Sequence, residues 1–148
     1  MKVVIQRAND ANVKINNKVV GKIDKGYVIL VGLKHGDTKD IVDKMCDKII
    51  NLRIFEDENQ KMNYSIKDVN GKILSVSQFT LYAKLSGRRP SFTDAMKYNE
   101  AKELYHYFND KLRSLNIIVE EGVFGEDMKV SFTNDGPVTI MIDSEIDF

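Results

Sequence analysis

Only two segments of this chain place apolar residues at helical spacing, and the sequence around them has the pattern of short β-strands. The first segment, between Ile41 and Leu52, repeats apolar residues every three or four positions. The second segment, from about Tyr98 to Leu115, carries a similar apolar stripe. Two helices among many strands predict an α+β domain, with mostly antiparallel strands forming a barrel-like sheet, rather than a doubly wound parallel sheet.

The first third of the chain has the clearest strand pattern. The pair Asn16-Asn17 lies between two β-type runs and predicts a hairpin turn, because Asn tolerates left-handed backbone angles. The segment from Tyr27 to Leu33 is almost entirely apolar, as expected of a strand that is buried on both faces. Asp37 or Thr38 could cap the first helix, since either side chain can accept a bond from a free N–H in the first turn.

The remainder of the chain adds further strands around the second helix. A short strand and a polar loop are predicted between Arg53 and Asn70, and β character returns from Lys72 to Tyr82. Three strands are expected to close the chain: Ile117 to Glu121, Met128 to Asn134, and Val138 to Ile142.

The size and composition indicate one folded unit. A chain of 148 residues fits one domain, which buries roughly 70% of the surface that its unfolded chain exposes. No linker or repeat divides the sequence, so we expect a single domain over residues 1–148, with a flexible tail only at Asp143 to Phe148. No apolar stretch is long enough to span a membrane and no signal-peptide pattern opens the chain, so the sequence predicts a soluble cytoplasmic protein.

The charge balance limits the kind of nucleic acid that the chain can bind. It has 22 basic and 22 acidic residues, so its formal net charge is zero. Proteins that wrap long duplexes obtain their affinity from many phosphate contacts, which a neutral chain supplies poorly. Contact with the end of a nucleic acid is still compatible with this composition. Lys84, Arg88 and Arg89 form a basic loop that could contact phosphates or simply be solvated.

Metal-ligating side chains are scarce. The single cysteine, Cys46, lies on the apolar stripe of the first helix and is expected to be a small buried residue that forms no disulfide. Of the two histidines, His106 lies off the apolar stripe of its helix and His35 lies in a loop. We therefore expect no metal site and no cofactor, and an enzyme of this sequence would work without a histidine general base.

The segment from Ser75 to Tyr82 carries the most chemistry of any predicted strand. It places the hydroxyls of Ser77 and Thr80 and the amide of Gln78 beside the ring of Phe79. Such a group can supply a nucleophile or hydrogen-bond donors around an acyl centre. Composition alone favours an ordinary edge strand whose polar residues face water.

The segment from Asn134 to Thr139 is the second unusual feature, because glycine precedes proline between two predicted strands. Gly136 accepts backbone angles that other residues avoid, and its bond to Pro137 can be cis. A turn of this kind could direct two carbonyl oxygens outward to receive an amine. From the residues alone, a plain turn is the stronger interpretation.

Together these segments resemble the signatures of the D-aminoacyl-tRNA deacylase family. Val4-Ile5-Gln6-Arg7 is similar to the opening strand of the family, and Ser77-Gln78-Phe79-Thr80-Leu81 is similar to its first signature. Arg89-Pro90-Ser91-Phe92 follows as expected, and Asn134-Asp135-Gly136-Pro137-Val138-Thr139 is similar to the second signature. The resemblance covers nearly the whole chain, and both signatures occur in the order that the family has.

The resemblance implies an enzyme that hydrolyses the ester of D-aminoacyl-tRNA, and of Gly-tRNA as well, as chiral proofreading in translation. It implies a homodimer in which a cis Gly136–Pro137 bond reaches into the site of the partner subunit, where its carbonyls hold the α-amino group of the substrate. Asn134 and Val138 belong to this substrate-binding signature. Arg7 resembles the arginine that fixes the Gly–Pro turn in the family.

Two mechanisms are open for the first signature. In one, Thr80 is the nucleophile and an acyl-enzyme forms, which requires a base that the sequence does not offer. In the other, which we favour, Ser77 and the backbone N–H groups near Gln78 and Phe79 stabilise the oxyanion. The 2′-hydroxyl of the terminal ribose then helps to activate water.

The resemblance also bears on the nucleic-acid partner, the acceptor end of an aminoacyl-tRNA. It implies that Phe124 and Met128 pack on the terminal adenine. Two alternatives stay open: a non-catalytic module that binds RNA ends without turnover, and a related deacylase of relaxed chirality with a trans Gly–Pro bond.

Overall fold

A mixed five-stranded sheet with two helices on one of its faces forms the protein. The structure, a computed structural model, describes residues 1–148. It confirms the expected α+β class with two main helices. Along the chain the elements are β1 (Lys2–Ile15), β2 (Lys18–Gly32), α1 (Lys39–Asn51), β3 (Phe55–Glu56), β4 (Met62–Tyr64), β5 (Lys72–Ser77), a short 3₁₀-helix (Phe79–Tyr82), α2 (Tyr98–Ser114), β6 (Val119–Glu121) and β7 (Lys129–Asp143).

The antiparallel hairpin of β1 and β2 lies at the centre of the sheet. Asn16 and Asn17 form its turn with φ angles of 49° and 64°, which confirms the predicted hairpin. β7 pairs antiparallel with β1, β5 pairs parallel with β2, and β6 pairs parallel with β5. The strands β2 and β5 therefore end at the same edge of the sheet, where Gly32 and Ser77 lie.

The helices pack on one sheet face through the apolar stripes that the spacing predicts. α1 buries Val42 and Ile49, and α2 buries Leu104 and Phe108. These side chains form one core with alternate residues of β1 and β2, as the two-residue period of a strand requires. Each such side chain contributes about 1.5–3 kcal/mol relative to an exposed one.

Cys46 belongs to this core. It is fully buried, and its Sγ lies 3.8 Å from the backbone oxygen of Phe108. Burial raises the pKa of the Cys46 thiol to about 12, so the thiol stays protonated and unreactive at neutral pH. The expectation of a small buried residue is confirmed.

The start of α1 distinguishes the two candidate caps. Thr38 Oγ1 accepts a hydrogen bond from the N–H of Ile41 at 3.4 Å. Asp37 is buried instead, and its carboxylate accepts bonds from the Met1 ammonium at 2.7 Å and from the N–H of Lys34 at 2.8 Å. Thr38 therefore caps the helix, and Asp37 ties the loop before the helix to the start of β1.

Three boundaries differ from the prediction. The region between Arg53 and Asn70 contains a second short strand, so β3 and β4 form a small antiparallel hairpin. The strand expected to reach Tyr82 ends at Ser77, and the 3₁₀-helix follows it. The last two predicted strands form the single strand β7, in which residues 135–138 are a bulge rather than a tight turn, because the residues on both sides of the bulge pair with β1.

The last residues of the chain contact the body of the protein. The N–H of Ser144 donates to the backbone oxygen of Met1 at 2.9 Å, and Lys48 Nζ lies 5.5 Å from the centre of the Phe148 ring. Flexibility of residues 143–148 in solution stays a prediction. No helix of the chain is both long enough and apolar enough to cross a membrane.

Candidate active site

A cleft of about 540 Å³ opens at the edge where β2 and β5 end. Its lining is mostly apolar with a few polar groups, which is typical of a pocket that holds a small organic group in one orientation. Ser77, Gln78 and Phe79 contribute to it from the end of β5, and Phe124 and Met128 contribute from the loop before β7. The fold therefore brings together five of the residues that the sequence singles out.

The chain turns sharply after β5. The N–H of Gln78 donates to the backbone oxygen of Val31 at 2.7 Å, which extends the strand pairing by one bond. The 3₁₀-helix then begins at Phe79, and the Gln78 side chain does not cap it. The first N–H groups of such a helix have no acceptor within it. The N–H groups of Phe79 and Thr80 thus have no partner within the turn, and N–H groups of this kind can stabilise an oxyanion.

Gly32 allows this turn to lie against β2. A Cβ atom at position 32 would lie 2.9 Å from the Cβ of Leu81 and 3.2 Å from the backbone oxygen of Gln78. Any larger residue at this position would push the turn away from the strand. The glycine thus determines how closely the first signature approaches the sheet edge.

Thr80 is exposed and, unlike Ser77, Gln78 and Phe79, does not line the cleft. Its Oγ1 accepts a hydrogen bond from Gln78 Nε2. Neither histidine lines the cleft, since His35 and His106 are both exposed elsewhere. The Thr80 hydroxyl therefore forms no hydrogen bond with a histidine that could act as its base.

Aromatic rings form much of the cleft lining. The ring of Phe79 meets Phe92 edge to face with 4.9 Å between centroids, and Tyr98 meets Phe124 in the same way at 5.2 Å. Phe79 and Tyr98 are each 56% exposed. Exposed aromatic faces inside a cleft can stack with a planar ring such as a nucleobase.

Arg7 lies buried beneath the second signature and is only 4% exposed. Its guanidinium donates to the backbone oxygens of Asp135 at 3.1 Å and Ile54 at 2.9 Å, and to Glu56 Oε2 at 2.7 Å. The hydrogen bond from Arg7 lowers the pKa of the Glu56 carboxyl. A cation out of water is stable only with such partners, so Arg7 anchors the backbone of the bulge from below.

The bulge interrupts the pairing of β7 with β1 at Arg7. Residues 135–138 of β7 face the single residue Arg7 of β1, while the neighbouring positions of both strands remain paired. Gly136 has a φ angle of 124°, and a Cβ atom there would lie 3.1 Å from Arg7 Nη2 and 2.8 Å from Val138 Cγ2. Glycine is the residue that fits both the angle and the space. The Gly136–Pro137 bond is cis, as the family resemblance implies.

Side-chain amides close the bulge. Asn134 Oδ1 accepts a bond from the N–H of Val138 at 3.3 Å, and Asn134 Nδ2 donates to Thr139 Oγ1 at 3.0 Å. Gln6 Nε2 donates to the same hydroxyl at 3.2 Å. The residues predicted to belong to the second signature therefore hold one another, together with Arg7.

The two signatures lie far apart within one copy of the chain. Ser77, Val31, Val3 and Ile142 form one row across β5, β2, β1 and β7. Three strand spacings of about 4.8 Å separate β5 from β7, and Arg7 lies four residues beyond Val3, so the path along the sheet is roughly 20 Å. None of the second-signature residues lines the cleft.

Similarity to known proteins decides the family. The family model described as D-Tyr-tRNA(Tyr) deacylase matches residues 4–143, a range that contains both signatures. This chain belongs to that family.

Relatives match over nearly their full length. The chain is 57% identical to a D-aminoacyl-tRNA deacylase of Lactobacillus gasseri, over 97% of this chain and 99% of the relative. It is 54% identical to a D-aminoacyl-tRNA deacylase of Thermus aquaticus, over 97% of this chain and 95% of the relative.

Two solved structures have the same fold. One is described as the c-Myc DNA unwinding element binding protein; it has a TM-score of 0.91 and 39% identity, and the match covers 97% of this chain and 98% of that one. The other, described as a probable eukaryotic D-amino acid tRNA deacylase, has a TM-score of 0.82 and 19% identity, with 95% and 97% covered.

Several residues of the deacylase cleft were missed in the sequence. Met96, Tyr105 and Glu126 line it, yet the first two share the apolar character of core residues. Tyr98 gives a usable signal, because it precedes the apolar stripe that begins at Ala101 and need not be buried with it. Glu56 gives no local sequence signal either, because its partner Arg7 lies 49 positions away on a strand of the other sheet.

Proposed function

We propose that this chain hydrolyses the ester bond of D-aminoacyl-tRNA, and of Gly-tRNA, to release the amino acid and the tRNA. The observation that carries the proposal is the apolar cleft in which Ser77 and the turn that follows it are among the few polar groups. Oxyanion stabilisation in such a site is the main need of ester hydrolysis. Membership of the deacylase family and the names of the relatives support the same reaction.

Water, rather than the Thr80 hydroxyl, is proposed as the nucleophile. Thr80 Oγ1 already accepts a bond from Gln78 and forms no hydrogen bond with a histidine. Water attacks the carbonyl carbon with help from the ribose 2′-hydroxyl, while Ser77 and the backbone N–H groups of Phe79 and Thr80, next to Gln78, stabilise the oxyanion. The bond from the carbonyl carbon to the 3′-oxygen then breaks, and that oxygen leaves with a proton. Because an aminoacyl ester is already activated, positioning and oxyanion stabilisation suffice.

A second copy of the chain is proposed to complete each site in a homodimer. The roughly 20 Å path along the sheet keeps the bulge away from the cleft of its own subunit. In the dimer, the carbonyls of Gly136 and Pro137 enter the cleft of the partner subunit and receive the α-amino group of the substrate. A D side chain then points outward, whereas an L side chain meets backbone. Glycine has no side chain to exclude, so Gly-tRNA is also a substrate.

The remaining parts of the proposed site hold the tRNA end. Phe124 and Met128 line the cleft with the exposed ring of Tyr98, and we assign them to the terminal adenine. The reacting groups are hydroxyl, amide and backbone groups, and the mechanism requires no metal. Because charged tRNA is consumed in translation, we assign the activity to the cytoplasm.

Deacylation of D-Tyr-tRNA and L-Tyr-tRNA, measured side by side with and without a chelator, tests the reaction. The proposal expects fast loss of the D-ester alone at a rate that the chelator does not change. Equal loss of both esters would indicate a deacylase of relaxed chirality. Tight binding of both without turnover would replace the enzyme with a module that binds RNA ends.

A subunit-mixing experiment tests the composite site. We expect Ser77→Ala and Gly136→Ala homodimers to be weak separately. In a mixed dimer, one site combines both defects and the other combines an intact cleft with an intact bulge. Mixing the two variants therefore restores activity at one site per dimer. If no activity returns in dimers shown to have exchanged subunits, each site uses residues of one chain.

A further inference from the structure

The loop between Lys84 and Ser91 forms a small hairpin next to the cleft. The N–H of Lys84 donates to the oxygen of Ser91 at 2.8 Å, and the N–H of Ser91 donates back at 3.0 Å. Phe92, the next residue, lines the cleft. Arg88 and Arg89 lie at the exposed tip of this hairpin. The hairpin therefore places two guanidinium groups close in sequence to Phe92 of the cleft lining.

The chain has five arginines, and these two differ from the other three. Arg7, Arg53 and Arg113 each donate to oxygen atoms of the fold. Arg88 and Arg89 are exposed, and no carboxylate lies within ion-pair distance of either group. Even Lys84 at the base of the hairpin is paired, with Asp94 Oδ1 at 2.8 Å. The fold therefore uses the positive charge at the base and leaves the charge at the tip free.

Two of the segments that contribute to the cleft lining carry opposite charge. The segment 79–97 contains four basic residues and one acidic residue, whereas the segment 120–129 contains four acidic residues and one basic residue. Glu126 of the acidic segment lines the cleft itself. A polyanion that enters this cleft is attracted to the first segment and repelled by the second, although the whole chain is neutral.

We propose that Arg88 and Arg89 bind the phosphates of the tRNA acceptor strand and direct that strand out of the cleft over segment 79–97. This inference rests on the proposed function, because it takes the terminal ribose ester to lie at Ser77. Arg89 is three residues from Phe92, so their Cα atoms are at most about 11 Å apart. Guanidinium groups suit this contact, since their planar fork donates two parallel hydrogen bonds to a phosphate.

Binding of an uncharged tRNA acceptor minihelix tests the contact without any need for turnover. The double variant Arg88→Ala/Arg89→Ala is expected to raise its Kd about ten-fold. The slope of log Kd against log salt should fall by about 0.7 for each lost phosphate contact. Arg88→Lys/Arg89→Lys should retain most of the salt slope, because an ammonium group still binds phosphate as a point charge.

A charge-matched control separates the local contact from the change in net charge. Lys44 and Lys67 are exposed, form no ion pair and do not line the cleft. Lys44→Ala/Lys67→Ala removes the same two charges and is expected to leave both Kd and the salt slope near those of the unmodified protein. An equal loss of affinity in both double variants would show a general charge effect and overturn the proposal.

Turnover on two substrates separates this proposal from the proposed function. The 3′-D-tyrosyl ester of adenosine has no phosphate, so Arg88→Ala/Arg89→Ala is expected to lower kcat/KM for D-Tyr-tRNA and not for this ester. Equal losses on both substrates would mean that the loop supports the cleft, which contradicts a phosphate contact. If the unmodified protein cleaves neither substrate, the proposed function fails, and the minihelix measurement still decides whether the arginines bind phosphate.

Discussion

The turn after β5 and the bulge in β7 are held in place by opposite means. The turn relies on backbone pairing to Val31 and on the close approach at Gly32, while the N–H groups of Phe79 and Thr80 have no acceptor within it. The bulge is anchored by the buried cation Arg7 and closed by the amides of Asn134 and Gln6. The difference follows from their proposed tasks. The N–H donors of the turn must remain available to an oxyanion, whereas the carbonyls of the bulge must be held rigidly to distinguish D from L substrates.

Removing the hydroxyl donor at the end of β5, where the turn begins, is expected to have the largest effect. Ser77→Ala should lower kcat for D-Tyr-tRNA about 100-fold with little change in KM, because an oxyanion donor acts in the transition state. Single-turnover kinetics measure this change. Ser114→Ala, at the exposed end of α2, serves as the matched control. An unchanged kcat would remove Ser77 from the reaction.

Breaking the bulge should have the next largest effect. Gly136→Ala brings a Cβ atom against Val138 and Arg7 at a φ angle of 124°. We expect about a ten-fold lower kcat/KM for D-Tyr-tRNA, a higher ratio of L to D hydrolysis, and a loss of about 1–3 kcal/mol in the free energy of unfolding. Gly87→Ala is the stability control, since a Cβ atom there meets nothing within 4 Å. A Gly136→Ala variant with unchanged chirality and stability would contradict the assigned role of the bulge.

Weakening the Arg7–Glu56 pair, which anchors the bulge, is expected to change how the stability of the protein depends on pH. The bond from Arg7 holds the pKa of Glu56 below its ordinary value of 4.5. The pair therefore stabilises the fold above that value, and this contribution is lost as the pH falls through the lowered pKa. Glu56→Gln should show a smaller drop in Tm than the unmodified protein between about pH 6 and pH 3. It should also raise the rate of L-Tyr-tRNA hydrolysis by roughly a few-fold, because the carbonyls of the bulge are then positioned less firmly. Identical acid melting curves would show that the pair does not contribute to stability.

The smallest effect is expected at Thr80, which lies in the turn but outside the cleft. Thr80→Val removes the hydroxyl that accepts a bond from Gln78. If water is the nucleophile, kcat should change less than about three-fold, because no bond to the substrate carbon is lost. A loss of about 1,000-fold or more would establish Thr80 as the nucleophile and favour an acyl-enzyme.

Local patterns predicted most of the elements and failed where pairing is long-range. The Asn16-Asn17 turn, both helices and the burial of Cys46 follow from neighbouring residues. The Gly–Pro pair looked like the end of a strand, because both residues interrupt strands in isolation. It lies inside β7 because residues on both sides pair with β1, more than 120 positions away. The local sequence around Gly136 contains no pattern that predicts this pairing.

The sequence by itself determined which residues are candidates for the site, because Ser77 to Thr80 and Asn134 to Thr139 are recognisable as short motifs. Only the tertiary structure decided where they lie relative to one another. It placed the first motif in an apolar cleft whose other walls look like core in the sequence, and it kept the second motif on a distant strand. It also buried Arg7 against Asp135, a contact between residues 128 positions apart. The physical reason is that strand pairing and core packing depend on interactions between residues far apart in the sequence, and a short motif carries no information about those partners.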